Sequence, residues 1–289
     1  LPWILLAIEK LYRKPSPWWV IGGAVFIAIQ FFGGVPQMTW HTCLLAGSYF
    51  LFSAALREQK HSRARFAGAV LMMTLGGALL SAIQFLPLRE LQQHGGRASI
   101  TYDYFSAYSF PPRQVFALIF PYLFGGASQL PYKTPYWGDW GIFVTCGYVG
   151  LLGLLLALIA ILGKKNPVMW FWIGASVVSL FLSFGSYLPL GVNHLLYQIP
   201  VYNLFRGSFR HMLELTFSIA VLAGLGMNHL RECDDKVRRS LVKLSGSLLA
   251  LGILFSLLVY KAAGSRVSNG AMYVGGGQLT GQTADFDST

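Results

Sequence analysis

Long apolar windows with few charged residues limit what this chain can fold into. A helix that crosses a bilayer core about 30 Å thick needs roughly 20 apolar residues. Such windows cover residues 15–56, 66–88, 141–163, 168–184, 209–230 and 244–260. Residues 15–56 are too many for one span, so the Gly-Gly-Val-Pro-Gln segment at 33–37 is expected to divide them into two helices joined by a tight hairpin.

The windows predict an all-α polytopic membrane protein. With residues 1–8 as the end of a further helix, the chain has about seven full transmembrane helices plus a partial one. The composition agrees, since 54% of the residues are hydrophobic and 11% are charged, whereas a soluble domain has about 25% charged residues. The 21 Phe, 14 Tyr and 8 Trp argue against disorder, and 3 Cys are too few for a small disulfide scaffold.

The distribution of positive charge predicts which side of the membrane each loop faces. Loops rich in Lys and Arg stay in the cytoplasm. Four short loops carry most of the 22 basic residues, namely Lys10, Arg13, Lys14, Arg57, Lys60, Arg63, Arg65, Lys164, Lys165, Arg231, Lys236, Arg238, Arg239 and Lys243. The loops at 89–140 and 186–208 are then expected outside, and the net charge of +11 does not indicate a nucleic-acid partner.

The windows also divide the chain into two parts. Residues 1–260 are expected to form the transmembrane domain. Residues 261–289 are polar and rich in glycine, and we interpret them as the start of a truncated outer-face segment. Because Leu1 is not a methionine and lies inside an apolar run, we expect the sequence to be a fragment.

The outer loop at residues 89–140 is the first candidate for function. Loops longer than about 12–15 residues are usually functional or disordered, and the many Tyr, Phe and Trp residues here argue against disorder. Pro112 is expected to start a short interfacial or re-entrant helix over residues 114–124. Glu90, Asp103 and Asp139 supply carboxylates, which are either solvated loop acids or candidates for a general base.

Two arginines precede the window at 209–230. Arg206 and Arg210 are four residues apart and would share one face of a helix. Such a pair suits the bidentate binding of a phosphate, and it equally suits anchoring to lipid head groups. Glu214 follows one turn later, where a carboxylate in the bilayer needs a partner, and an Arg210–Glu214 ion pair is expected.

His41 lies one turn past the hairpin, where it is either a packing residue or a ligand. The sequence contains no His-Glu-x-x-His, Cys-x-x-Cys or Gly-x-Ser-x-Gly motif and no phosphate loop. No metal site is therefore predicted, and no cofactor is indicated.

Several short motifs occur in order along the chain. They are Gly-Val-Pro-Gln at 34–37, Ala-Ile-Gln-Phe-Leu-Pro-Leu-Arg-Glu at 82–90, Phe-Pro-Pro-Arg-Gln at 110–114, Phe-Pro-Tyr-Leu-Phe-Gly at 120–125, Tyr-Val-Gly-Leu at 148–151, Pro-Val-Tyr-Asn-Leu-Phe-Arg at 200–206 and Leu-Ala-Gly-Leu-Gly at 222–226. Together they resemble the YfhO family of bacterial membrane proteins, which belongs with the GT-C type polytopic glycosyltransferases. The resemblance covers most of residues 1–260.

The resemblance implies transfer of a sugar from a polyprenyl-phosphate carrier to a cell-envelope polymer or lipid on the outer face of the bacterial cytoplasmic membrane. The residues expected to bind the donor phosphate are Arg206, Arg210 and Arg113. Those expected to line an outer-face pocket are Gln37, His41, Glu90 and Asp103. Val35 replaces the family's histidine, and the catalytic acid of such enzymes is expected upstream of Leu1. A transporter or flippase of lipid-linked material and a non-catalytic membrane assembly protein stay open as alternatives.

Overall fold

The computed structural model describes residues 1–58, 62–94, 100–125, 136–139, 147–163, 166–232 and 235–268. All regular secondary structure in these ranges is helical. The chain forms two compact units, residues 1–238 and residues 239–289. The predicted outer-face segment at 261–289 lies mostly outside the described residues, and its first residues continue a helix.

Ten α-helices run along the described chain. They are α1 (Pro2–Arg13), α2 (Pro17–Phe32), α3 (Pro36–Leu56), α4 (Arg63–His94), α5 (Tyr102–Ser106), α6 (Leu151–Leu162), α7 (Pro167–Ser183), α8 (Val192–Tyr197), α9 (Met212–Glu232) and α10 (Asp235–Ser268). Shorter 3₁₀ turns cover Pro112–Leu118, Gly185–Tyr187, Pro189–Gly191, Tyr202–Leu204 and Ser208–His211. Four of the α-helices begin with proline, which lacks the N–H that the first turn leaves unpaired.

The predicted break within the window at 15–56 is confirmed. α2 ends at Phe32 and α3 begins at Pro36. Gly34 adopts a φ of +79°, in the left-handed region that glycine enters without steric cost. Gly34 and Pro36 therefore set the hairpin by local backbone chemistry.

Two predicted helices differ from those observed. The window at 141–163 becomes α6, which begins only at Leu151, while residues 147–150 are not helical and 140–146 lie outside the described residues. Gly150 has a φ of +84°, which a helix cannot include. The interfacial helix expected at 114–124 is instead the 3₁₀ turn Pro112–Leu118, followed by turns at 121–124.

Within the described ranges, two helical segments are long and apolar enough to cross a bilayer. They are Arg63–Leu91, with a mean hydropathy of 1.9, and Ser208–Glu232, with a mean hydropathy of 1.3. The helices α2, α6 and α7 are apolar but shorter. At a rise of about 1.5 Å per residue, each of these three helices is shorter than a bilayer core is thick. The seven-span architecture therefore stays a prediction.

Small residues bring several helices close together. Gly77 on α4 lies against Ile27 of α2, and Gly23 of α2 lies against Met73 of α4. On α9, Gly226 lies directly against the backbone carbonyl of Leu156 in α6. Close approach at small residues is a common way for membrane helices to pack.

An ion-pair cluster holds α1 against the end of α3. The carboxylate of Glu9 accepts hydrogen bonds from Arg57 at 2.6 Å, Tyr49 at 2.7 Å and Arg13 at 2.8 Å. Burial alone would raise the pKa of Glu9, but these hydrogen bonds outweigh it and lower the pKa. Glu9 therefore stays charged, and it fixes the basic end of α3, where the predicted cytoplasmic loop begins.

Replacing Gly226 by alanine tests the contact between α6 and α9. A Cβ at this position would overlap the Leu156 carbonyl, so we expect Gly226→Ala to lower the free energy of unfolding by about 1–3 kcal/mol. Thermal unfolding in detergent measures the effect. Gly224→Ala on the same helix is the matched control, because its Cβ would meet nothing within 4 Å. Equal unfolding temperatures for the two variants would contradict the packing.

Candidate functional site

A cavity lies beside the N-terminal ends of α3 and α9. It is shallow and partly open to solvent, and its enclosed part has room for about one water molecule. Its lining residues are Gln37, Trp40, His41, Phe105, Tyr202, Phe205, Arg206, Gly207, Ser208 and His211. Aromatic walls with a few polar groups are typical of small-molecule sites.

Three buried ionisable side chains lie together here, and two of them, His41 and His211, line the cavity. His41, His211 and Glu214 are each no more than 3% exposed. Glu214 Oε1 lies 2.8 Å from His41 Nδ1 and 3.3 Å from His211 Nδ1. The two imidazole rings meet edge to face, with their centroids 4.7 Å apart. We call these three residues the His-Glu-His cluster.

The local sequence explains how α9 contributes two members of this cluster. Gly207 adopts a φ of +83° directly before the 3₁₀ turn Ser208–His211. This turn leads into α9 without a break. Residues three apart share one face of a helical segment, so His211 and Glu214 point the same way. His41 approaches them from the first turns of α3.

Tyr202 extends the cluster toward the surface. Its hydroxyl lies 2.6 Å from His211 Nε2. An ionised carboxylate only accepts hydrogen bonds, so His211 presents Nδ1–H to Glu214, and the Nε2 of a neutral ring accepts from the Tyr202 hydroxyl. Burial and the nearby charge of Glu214 raise the pKa of Tyr202, which keeps the phenol protonated as this arrangement requires.

Arg206 lies at the exposed mouth of the cavity. Its guanidinium lies over the rings of Tyr104, at 4.9 Å from the centroid, and Tyr108, at 5.2 Å. Such cation–π contacts stabilise a guanidinium and leave its N–H groups in plane for a ligand. Gln37 Nε2 donates to the Arg206 carbonyl at 2.8 Å, which holds the backbone of Arg206 against the start of α3.

Hydrogen bonds between distant segments hold Tyr104 and Tyr108 beside Arg206. The Ser186 backbone N–H donates to Ser109 Oγ at 2.9 Å, and the Phe110 N–H donates to the Ser183 carbonyl at 2.9 Å. Gly185, with a φ of +51°, allows this approach, since a Cβ there would overlap the Ser109 hydroxyl. The loop after α5 is thereby fixed against the end of α7.

The structure brings together only some of the residues predicted from the sequence. Gln37, His41 and Arg206 line the cavity. Glu90 on α4 and Asp103 on α5 are exposed and are not among its lining residues.

The other two predicted arginines have different surroundings. Arg113 is exposed, and its guanidinium forms a two-point ion pair with Asp139, which raises the pKa of Arg113. Arg210 is half-buried, with its guanidinium 5.6 Å from the ring centroid of Phe209. Glu214, for which the sequence predicted Arg210 as partner, pairs with the two histidines.

Sequence reasoning missed two residues of the site, His211 and Tyr202. The spacing of His211 and Glu214 at the start of an apolar window was a usable signal, because two polar groups on one face of a buried helix need a common partner. Comparisons with protein families, with curated proteins and with solved structures found no match.

Removing the Tyr202 hydroxyl tests the hydrogen bond to His211. Tyr202→Phe leaves His211 Nε2 buried without its donor, so we expect a loss of about 1–3 kcal/mol in the free energy of unfolding. The measurement is thermal unfolding of the purified protein in detergent. Tyr148→Phe is the control, since Tyr148 is 40% exposed and lies outside the cavity. An unfolding temperature for Tyr202→Phe equal to that of the control would show that the contact does not contribute.

Proposed function

We propose that this chain is part of a GT-C type membrane glycosyltransferase, similar to the YfhO family. It transfers a sugar from a polyprenyl-phosphate carrier to a cell-envelope polymer or lipid on the outer face of the bacterial cytoplasmic membrane. The observation that carries the proposal is the cavity itself, in which an exposed arginine and aromatic walls lie beside a buried polar floor at the ends of α3 and α9.

Exposed apolar side chains support a membrane location with about seven spans. Trp18 and Ile29 on α2 are 81% and 59% exposed, and Leu79 and Ile83 on α4 are 76% and 78% exposed. These two helices pack on each other through glycines, so their apolar residues face outward. A soluble protein rarely exposes so much apolar surface, whereas a bilayer covers it without cost.

The mouth of the cavity fits a phosphate. A lipid-linked phosphate stays at the interface while its sugar reaches water, so its site belongs at the outer ends of helices. Arg206 offers a planar guanidinium, which pairs with two phosphate oxygens at once. As the donor bond breaks, negative charge grows on the leaving phosphate, and an arginine already in place stabilises it. Trp40 and Phe205 supply apolar walls for the bound sugar.

Arg210 and Arg113 have lesser roles in this proposal. Arg210 lies four residues after Arg206 and strengthens the positive potential near the cavity. Arg113 is paired with Asp139, so it would bind a phosphate only if this ion pair were broken. Glu90 and Asp103 have no assigned role, because both are exposed and do not line the cavity.

One observation favours a second function, transport or flipping of lipid-linked material. The His-Glu-His cluster places titratable groups inside a segment long enough to span a membrane. Buried ionisable groups of this kind are used for ion coupling by transporters. Release of free sugar or sugar transfer by the purified protein supports the transferase, whereas ion-dependent movement of the lipid without release supports the transporter.

The proposed topology is testable with single cysteines in a variant whose own three cysteines are replaced by serine. Thr101→Cys lies in the outer loop and Ser62→Cys in a basic loop, and both positions are exposed. An impermeant maleimide added to intact cells should label Thr101→Cys and should label Ser62→Cys only after the membrane is opened. Labelling of Ser62→Cys in intact cells would overturn the orientation.

Replacing Arg206 tests the phosphate site. We expect Arg206→Ala to lower the rate of sugar transfer on the order of 100-fold, because one preorganised donor to the leaving phosphate is lost. Arg206→Lys should recover only part of the rate, since lysine lacks the planar fork. The assay is transfer from a polyprenyl-phosphate donor in proteoliposomes of the full-length protein.

The matched control for Arg206 is Arg231→Ala. Arg231 is an exposed arginine near the C-terminal end of α9, whereas Arg206 precedes its N-terminal end. Transfer by this variant should be unchanged. A fully active Arg206→Ala protein would rule out a role for this arginine at the phosphate.

A further inference from the structure

The His-Glu-His cluster has the composition of a metal site. It brings two imidazoles and one carboxylate from two separate helical segments to one point. One ligand atom from each residue can be chosen so that all three lie within 4.8 Å of one another. All three side chains are buried, so water does not compete freely for these atoms.

A second observation concerns the other oxygen of the Glu214 carboxylate. Its Oε1 contacts both histidines, but its Oε2 is buried and has no hydrogen-bond donor among the described residues. A buried carboxylate oxygen without a donor or a cation is costly, more so in a segment that spans a membrane. A cation bound by this carboxylate, through either oxygen, would offset the negative charge that Oε1 and Oε2 share.

From these observations we propose that His41, His211 and Glu214 bind a divalent transition metal ion, with Zn²⁺ as the ion that the ligands favour. Imidazole nitrogens suit Zn²⁺ and its neighbours in the first transition row, whereas Mg²⁺ and Ca²⁺ prefer oxygen ligands. Two histidines and a glutamate form a known zinc ligand set that leaves one coordination position open. Since His41 and His211 line the cavity, the open position faces it.

The existing geometry requires only small movements. In a tetrahedral zinc site with bonds of about 2.0–2.1 Å, ligand atoms lie about 3.4 Å apart. Glu214 Oε1 already lies 2.8 Å and 3.3 Å from the two histidine Nδ1 atoms. The widest pair in the cluster, within 4.8 Å, needs to close by about 1 Å or slightly more.

Tyr202 supports this arrangement from behind His211. A histidine that binds a metal through one nitrogen usually has its other nitrogen hydrogen-bonded, which fixes the ring and the tautomer. Here the hydroxyl of Tyr202 lies 2.6 Å from His211 Nε2. When Nδ1 gives its lone pair to the ion, Nε2 carries the proton and donates to the Tyr202 oxygen.

Metal binding is measurable without any sugar donor, so its outcome is independent of the transferase proposal. The protein is purified in detergent, stripped with a chelator, dialysed against Zn²⁺ and analysed by mass spectrometry for metal content. We expect an equimolar amount of zinc and a rise in unfolding temperature that a chelator reverses, since a ligand of the folded state stabilises it. Protein that takes up no zinc would overturn the proposal.

Zinc affinities of single-residue variants test which side chains bind the ion. Glu214→Gln and His41→Gln should each weaken zinc binding at least 100-fold, and Tyr202→Phe should weaken it by about 10–100-fold. His194→Gln is the control, because His194 is an exposed histidine on α8 and should leave binding unchanged. Undiminished zinc affinity in both Glu214→Gln and His41→Gln would exclude this site.

X-ray absorption of the zinc-loaded wild-type protein keeps the proposal falsifiable if the variants fail to fold. The expected spectrum shows nitrogen and oxygen neighbours at about 2.0 Å with the scattering of two imidazoles. Sulfur neighbours at about 2.3 Å would instead assign the ion to cysteines and overturn the proposal.

Discussion

The carboxylate of Glu214 is almost fully buried between two histidines that come from different parts of the chain, His41 in α3 and His211 in the turn before α9. A buried charge is tolerated only when it is paired, and removing one partner from such a pair is strongly destabilising. The start of α3 must therefore stay against the start of α9. The contact between Tyr202 and His211 also holds the 3₁₀ turn Tyr202–Leu204 close to this buried cluster. The cavity lies between the start of α3, the segment that contains Tyr202 and the turn before α9.

Contacts from α3 and from the chain that follows α4 hold Arg206 at the mouth of the cavity. Gln37 holds its carbonyl from α3, and Tyr104 and Tyr108 hold its guanidinium from the loop after α4. That loop is in turn fixed by hydrogen bonds near Ser109 to the end of α7. An exposed arginine usually samples many rotamers, and a stacked one loses less entropy when it binds a ligand. The surrounding loops thus restrict the orientation of Arg206, which the proposed phosphate site requires.

The parts of the fold that the sequence predicted well depend on local chemistry. The break between α2 and α3 follows from Gly34 and Pro36, whose backbone preferences act within a few residues. The predicted helix at 141–163 starts earlier than α6 does, because hydropathy contains no information on the positive φ of Gly150. An apolar window gives the extent of a hydrophobic segment but not the point at which its helix begins.

The site was less predictable because its contacts join distant residues. His41 and Glu214 are 173 positions apart, and no periodic pattern links them. Sequence reasoning assigned Arg210 to Glu214 because of its opposite charge and its spacing of four residues. In the structure Glu214 pairs with His211, three residues before it, and with His41, which the packing of α3 against α9 brings to it. Gln37, His41 and Arg206, which lie near helix starts, line the cavity, and the functions assigned to them from the sequence stay predictions.

The charge of the His-Glu-His cluster connects the two proposed ligands of the cavity. The negative carboxylate of Glu214 repels a phosphate at Arg206. A divalent ion bound beside it would outweigh this charge and attract the phosphate, and such an attraction is stronger in a partly desolvated cavity than in water. Two ligands that attract each other raise each other's affinity by the same factor. A phosphate at the mouth of the cavity and a metal ion at its floor would therefore each favour the binding of the other.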